Sequence, residues 1–338
     1  MGDDQQPGGA SPNGARGFSP VSVASLRVDT VTAFDLYMQL KPGRPHVLYR
    51  EKNLAFTEEA KERLKENNVT VLFIREDQMA EYRVYVEGNL GDILSDPELT
   101  VADKSQVLYD SAQGLVKEVL EDPRSGDLFR RTTGLVEHTV PFVLEQKGAF
   151  ENLVKVTSYD YYTYTHSVNV CMFSIALGGH VGLDAERIVQ LGNGALLHDV
   201  GKCMLDPAIL NCPGKLRDDQ WEMMKRHPVY GYTILKRQGI KDTVVLDVTR
   251  HHHEKLDGRG YPDGLRDEEI TPCARISAIA DIFDALTTRR SYKDAIGSFA
   301  ALKLMKGETA EQLDAEIFGT FVRMMGGAGE RLRASPRL

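Results

Sequence analysis

The chain has no apolar run approaching the roughly 20 residues that a membrane-spanning helix needs. Its longest candidate, 168-VNVCMFSIALGG-179, is short and reads as a buried helix. An excess of positive charge is also missing. The 41 Lys and Arg face 49 Asp and Glu, for a net charge of -8. That balance argues against general binding to a nucleic acid polymer or to an anionic membrane. The four cysteines, Cys171, Cys203, Cys212 and Cys273, show no CxxC spacing, so reduced and mostly buried thiols in a cytoplasmic protein are expected. The opening stretch, 1-MGDDQQPGGASPNGARGFSP-20, lacks the charged-then-apolar layout of a signal peptide. Gln6 stands where a myristoylation motif needs Ser or Thr. Internal repeats are absent as well.

What is present suits a packed protein. Hydrophobic residues make up 42% and charged residues 27%, and 338 residues leave room for two domains. Residues 1–21, rich in Gly, Pro, Ser and Asp, read as a disordered tail. Residues 22–96 read as a small α/β regulatory or docking domain. Here 46-HVLY-49 and 70-TVLFI-74 suit strands, and 57-TEEAKERLKENN-68 suits a helix with Thr57 as its N-cap. A further strand is expected in 81-EYRVYV-86. From residue 97 to 325 apolar residues recur at helical spacing, beginning with a linker helix over about 101–122. The stripe of that helix does not persist for the heptads a coiled coil needs, so it belongs to the core. Residues 326–338 read as a flexible tail. The expected fold is mainly α, a helical domain preceded by a small α/β domain.

Histidine is where chemistry gathers. Seven of the nine histidines fall between residues 166 and 253. Each alone is ordinary content of a surface or a core, but several stand in telling contexts. In 198-HDVGK-202 a His-Asp pair ends an apolar helix, where an imidazole and a carboxylate are costly unless paired or bound to cations. The plain alternative is a helix end stopped by Gly201. His227 precedes a proline in 227-HPVYG-231 and so marks a helix boundary. Asp281 sits between Ala280 and Ile282 in an apolar helix, off its core stripe. In 251-HHHE-254 the three rings cannot all meet one metal, because consecutive helical residues point about 100° apart. His252 shares a stripe with Val245, Val248 and Thr249 and faces inward; His253 can turn with the helix end; His251 has no such argument.

These segments in this order, 198-HDVGK-202, 227-HPVYG-231, 252-HHEKLDGRGYP-262 and 281-DIFDALTTRRSYK-293, closely resemble the HD-GYP domain of the HD metallohydrolase superfamily. The resemblance covers roughly residues 140 to 325 and leaves the N-terminal unit out. It implies a helical metallohydrolase that opens a cyclic dinucleotide, a bacterial second messenger. Aligning its His-His-Glu with His252, His253 and Glu254 leaves His251 as the extra ring. Its upstream histidine, within 160-DYYTYTHS-167, corresponds to His166. The implied metal ligands are His166, His198, Asp199, His227, His252, His253 and Asp281, with Asp199 bridging two ions. One ion would take His166, His198 and Asp281, the other His227, His252 and His253. Some members hold a third metal through a glutamate four residues before the first histidine. Tyr162 stands there, so a dinuclear site is expected. A second departure is Ser291, where proline is usual between Arg290 and Tyr292.

The resemblance further implies hydrolysis of cyclic di-GMP to linear pGpG, with further cleavage to GMP left open. The ligand set suits two divalent ions, Fe or Mn first. A water between two ions about 3.5–4 Å apart loses a proton near neutral pH, and the resulting hydroxide would attack phosphorus in line. Asp199 and Lys202 are the expected catalytic residues. Lys202, Gly260, Tyr261, Pro262, Arg290 and Lys293 are expected at the substrate, Arg290 and Lys293 as a clamp for the second phosphate. Gly258, Gly260 and Gly264 would let backbone approach closely. Two alternatives stay open: a cyclic GMP-AMP phosphodiesterase, and a non-catalytic receptor that binds a cyclic dinucleotide and passes the signal on. A second copy of the chain or a signalling protein are the macromolecular partners left open.

Overall fold

The computed structural model describes residues 17–41, 43–157, 163–212, 214–288, 295–309 and 311–327. The chain divides into two compact units, one up to Asn89 and one from Leu90 onward.

The first unit is built on an antiparallel sheet. It contains β1 (Phe18–Ser22), β2 (Thr30–Val31), β3 (Leu36–Met38), β4 (Val47–Arg50), β5 (Ala55–Phe56), helix α1 (Glu58–Glu66), β6 (Val71–Arg75) and helix α2 (Met79–Gly88). Four strands run in the order β1-β6-β3-β4, and β2 pairs with β5. In β6 the alternation is that of a half-buried strand, with Leu72 and Ile74 buried and Val71 exposed. Leu72 and Ile74 pack with Phe34, Leu36, Phe56 and Leu64. The Thr57 hydroxyl accepts from the Ala60 amide and starts α1 as its sequence demands.

Three expectations change here. The tail expected through residue 21 ends earlier, because Phe18–Ser22 pairs along its length with Val71–Arg75. Pro20 does not prevent this, since β1 is an edge strand and a missing amide hydrogen there breaks no ladder. The strand expected in 81-EYRVYV-86 is part of α2. Its residues alternate in polarity, but the rings that matter are three apart. Tyr82 and Tyr85 both meet Phe34 edge-on, at 5.5 and 5.4 Å. The Tyr85 hydroxyl accepts from the Arg27 amide at 2.8 Å, while Val84 is left exposed. Finally, Leu90–Ser95 forms α3, and Leu90 and Leu94 enter the core of the second unit.

The second unit is helical. After α3 come α4 (Val101–Glu121), α5 (Gly126–Glu145), α6 (Ala149–Val156), α7 (Thr163–Val181), α8 (Ala185–Leu197), α9 (Pro207–Leu210), α10 (Asp218–Met224), α11 (His227–Arg237), α12 (Thr243–His251), α13 (Pro272–Thr287), α14 (Ser298–Glu308) and α15 (Ala315–Met325). Residues 219–235, which a single helical stripe would suit, are split between α10 and α11, with the break at Lys225 and Arg226. Helix α7 is buried on all sides from Thr165 to Gly178 and packs against α4, α5, α8, α13 and α15. Phe173, Phe283 and Phe321 meet edge-on and join α7, α13 and α15.

Asp314 ties two of these helices. Its carboxylate accepts from the Glu316 and Ile317 amides to cap α15, and from Arg275 of α13 at 2.8 Å. Arg275 also donates to the Asp267 and Ile270 carbonyls. Partial burial works to raise the Asp314 carboxyl, but the cap amides and Arg275 overcome it and hold it below its ordinary value. Asp314→Ala is expected to lose about 1–2 kcal/mol at neutral pH, measured by urea unfolding. Because the folded value is depressed, this contribution is full above the unfolded carboxyl value of about 3.9 and fades as pH falls through the folded one. The gap between wild type and variant should therefore close on acidification below about pH 4.

Candidate metal centre

Helices α7, α8, α11, α12 and α13 each deliver part of one buried polar cluster. His166 comes from α7, His198 and Asp199 from the end of α8, His227 from the start of α11, His252 and His253 from the end of α12, and Asp281 from α13. All but His253 are almost completely buried. Among the described residues, two groups bring their ligand atoms within 4.8 Å of one another: His227 with His252 and His253, and His166 with His198 and Asp199.

The carboxylates lie between the groups. Asp199 Oδ1 is 3.2 Å from His227 Nε2, and its Oδ2 is 3.4 Å from His198 Nε2 and 3.7 Å from His166 Nε2. Asp281 does the same, with Oδ1 3.0 Å from His166 Nε2 and Oδ2 3.4 Å from His253 Nδ1. The sequence reading put Asp281 with His166 and His198 alone; here its second oxygen also faces the other group. Lys202 donates from Nζ to Asp199 Oδ2.

Backbone carbonyls set the histidine tautomers. His198 Nδ1 donates to Ala195 O at 2.7 Å, His227 Nδ1 to Met224 O at 2.8 Å, and His252 Nδ1 to Thr249 O at 3.0 Å. A carbonyl only accepts, so the proton must be on Nδ1, and in a neutral ring Nε2 carries a lone pair. Those lone pairs converge. His227 Nε2 and His252 Nε2 are 3.2 Å apart, and buried His198 Nε2 has no hydrogen-bond partner among the described residues. Burial holds His252 well below its ordinary value and pushes His253 down to about 3, against the pull of Asp281. Burial works to raise the Asp199 carboxyl, but Lys202, His198 and His227 hold it well below the usual range. Asp281 is held low in the same way, chiefly through His166. Imidazole nitrogens and carboxylate oxygens without thiolate form a donor set that fits divalent cations.

A further layer of polar residues orients this set, and the sequence reading had given it no role. Asp284 Oδ2 lies 2.6 Å from His166 Nδ1, while its Oδ1 accepts from Asn169 at 2.7 Å and Thr288 at 3.1 Å. Tyr109 of α4 donates to Asn169 Oδ1 at 2.8 Å, so a hydrogen-bond chain runs from α4 to His166. The one sequence signal for Asp284 was a second carboxylate three residues after Asp281 in a helix that should bury both. Glu254 is 3% exposed and accepts from the amides of Asp263, Gly264 and Leu265. It thereby folds the turn that carries Tyr261 back onto the helix end. A cis bond joins Tyr261 and Pro262. The Tyr261 ring is 4.7 Å from that of His253, and burial with Asp281 and Asp199 pushes its hydroxyl well above the usual tyrosine range.

His251 is engaged elsewhere. Its Nδ1 lies 2.7 Å from Asp247 and its Nε2 3.0 Å from Asp263, which also accepts from Nε and Nη2 of Arg250. The first ring of the run thus fastens the turn to α12.

Two glycines are spatial requirements. At Gly201 a Cβ would overlap the His227 carbonyl and the Gly231 amide, so the 3₁₀ turn Val200–Met204 can lie on α11 only without a side chain. At Gly260 a Cβ would overlap the backbone of Glu254 and Lys255. That glycine serves the turn's own packing, whereas Gly258 and Gly264 have positive φ, at 74° and 68°. Tyr162, Arg290, Ser291 and Lys293 lie outside the described residues.

Residues 159–317 match the HD domain family model. A cyclic di-GMP phosphodiesterase of Pseudomonas aeruginosa is 36% identical over 222 residues, covering 65% of this chain and 53% of the relative. The cyclic di-GMP phosphodiesterase response regulator RpfG of Xanthomonas campestris is 40% identical over 144 residues, 42% of this chain and 38% of its own. A 3'3'-cGAMP-specific phosphodiesterase of Vibrio cholerae is 34% identical over 224 residues, 62% of this chain and 48% of its own. The chain thus spans about half or less of the length of these relatives. Among solved structures, Bd1817, a HDG"Y"P protein from Bdellovibrio bacteriovorus, shares the fold. Its TM-score is 0.65 at 23% identity, over 92% of this chain and all of that one.

Two outcomes test the geometry. Gly201→Ala should cost at least about 1–3 kcal/mol by thermal unfolding, because the overlap is with backbone that cannot rotate away. Asp284→Asn should weaken Mn(II) or Fe(II) binding about 10- to 100-fold in a chelator competition while the chain stays folded.

Proposed function

We propose, from the match of residues 159–317 to the HD domain and the likeness to cyclic di-GMP phosphodiesterases, that the chain is a metal-dependent phosphodiesterase of the HD-GYP type cleaving cyclic di-GMP to linear pGpG. The observation that carries this reading is the meeting of two histidine groups at Asp199, whose two oxygens face one group each. One divalent ion would be held on the side of His166 and His198, the other by His227, His252 and His253, with Asp199 and Asp281 between them. The nitrogen and oxygen donor set favours Fe or Mn. When bound, such a pair supplies Lewis acidity to a phosphodiester and lowers the pKa of water.

The chain's own residues do the rest. Asp284 and the carbonyls of Ala195, Met224 and Thr249 hold the rings in place, so little reorganisation accompanies reaction. The five helices exclude bulk water from the cluster. Lys202, beside Asp199 at the cluster's edge, brings a cation to a non-bridging phosphate oxygen or the leaving oxygen. Tyr261 stays protonated and is a hydrogen-bond donor at neutral pH. Arg290 and Lys293 are assigned to the second phosphate through the sequence motif. The first unit, which ends at Asn89, is assigned a regulatory or docking role; among the described residues no group of metal-binding side chains lies there. The four free cysteines support a cytoplasmic location. A cyclic GMP-AMP substrate is the second reading, supported by the Vibrio cholerae relative.

The test is anaerobic. The protein is loaded with Mn(II) or Fe(II), metal is counted, and cyclic di-GMP and cyclic GMP-AMP are followed by chromatography. About two ions per chain are expected, with linear product whose rate falls about a hundredfold or more in His198→Ala and Asp199→Ala. Bound dinucleotide that is never cleaved would make the chain a receptor. A chain that takes up no metal would overturn the ligand set.

A further inference from the structure

Trp221 is the chain's one tryptophan, and it is 45% exposed. An indole is among the side chains that gain most from burial, and here it contributes little to the core. It stands on α10, which ends three residues before the ligand-group residue His227. Its ring lies 6.1 Å from that of Tyr261, with the planes at 82°. Tyr261 in turn lies 4.7 Å from the His253 ring and 6.5 Å from the His227 ring. An aromatic path therefore leads from the metal-group imidazoles out to solvent and ends on Trp221. In an edge-to-face pair, whichever ring presents its edge, at least one indole face is left uncovered by Tyr261.

We propose that Trp221 is a stacking platform for a purine base of the cyclic dinucleotide; this rests on the phosphodiesterase reading above. A phosphate held at the two histidine groups carries its nucleoside outward, and along the Tyr261 side the indole offers it an uncovered aromatic face. Stacking on an aromatic face is tolerant of base identity, because every base has a π-face. Trp221 thus supplies affinity for guanine and adenine alike, and does not by itself separate cyclic di-GMP from cyclic GMP-AMP. A purely structural Trp221 would instead only brace the turn that carries Tyr261.

Since Trp221 is the one tryptophan, fluorescence of the metal-loaded full chain, excited at the red edge of the indole band where tyrosine does not absorb, reports on it alone. GMP and AMP should change the emission saturably, and ribose 5-phosphate, which has no base, should not. Trp221→Ala should raise KM for cyclic di-GMP about tenfold or more, with a smaller change in kcat and unaltered metal content. Trp221→Phe, which keeps a ring, should recover most of that loss. The proposal is overturned if GMP leaves the emission unchanged, if ribose 5-phosphate acts as GMP does, or if KM in Trp221→Ala stays within about twofold of wild type. A wild type that cleaves no cyclic dinucleotide would sink the phosphodiesterase reading instead, and the GMP titration would still decide the role of Trp221.

Discussion

Five imidazoles and two carboxylates sit inside an apolar helical bundle, and their solvation has to be replaced by other groups. Much of the second unit follows from this demand. Three of the rings lie at helix ends, where carbonyls are left free to accept from a ring nitrogen. His198, His227 and His252 each bond a carbonyl three residues earlier, so each ring is held by its own local backbone. The opposite nitrogens then face one another across a few ångströms, an arrangement suited to cations.

Rigidity around the cluster comes from close backbone approach and from buried acids. Gly201 lets the turn after Asp199 lie against the first turn of α11, which brings Asp199 to His227. Glu254 gathers three amides of the following turn, and His251 with Arg250 grips Asp263 from the other side. Tyr261 is thereby held over His253, and its own amide donates to the His253 carbonyl at 3.3 Å. Asp284 plays a matching part for His166, and through Asn169 and Tyr109 it extends the ordered network to α4.

The first unit shows where local pattern misleads. Alternating polarity in 81-EYRVYV-86 suits a strand, yet Phe34 is met by Tyr82 and Tyr85, which share a face only in a helix. Period alone cannot settle so short a run, and a distant ring decided it. Pro20 and the polar residues before it masked a strand whose paired residues, from Phe18 with Arg75 to Ser22 with Val71, are far apart in sequence.

Sequence by itself determined the helical character of the second unit, the inward face of His252 and the boundary at His227. Through a resemblance it also determined which seven side chains to bring together. Those inferences rest on periodicity, on proline's effect on its neighbour and on ordered motifs, all of which are local or linear. Only the tertiary structure decided that Asp281 faces both histidine groups, that Asp284 and Glu254 support the cluster and the turn, and that His251 turns away to Asp247 and Asp263. The reason is physical: a carboxylate's role is set by the donors around it. In this chain many of those donors come from other helices, at sequence separations that no local pattern records.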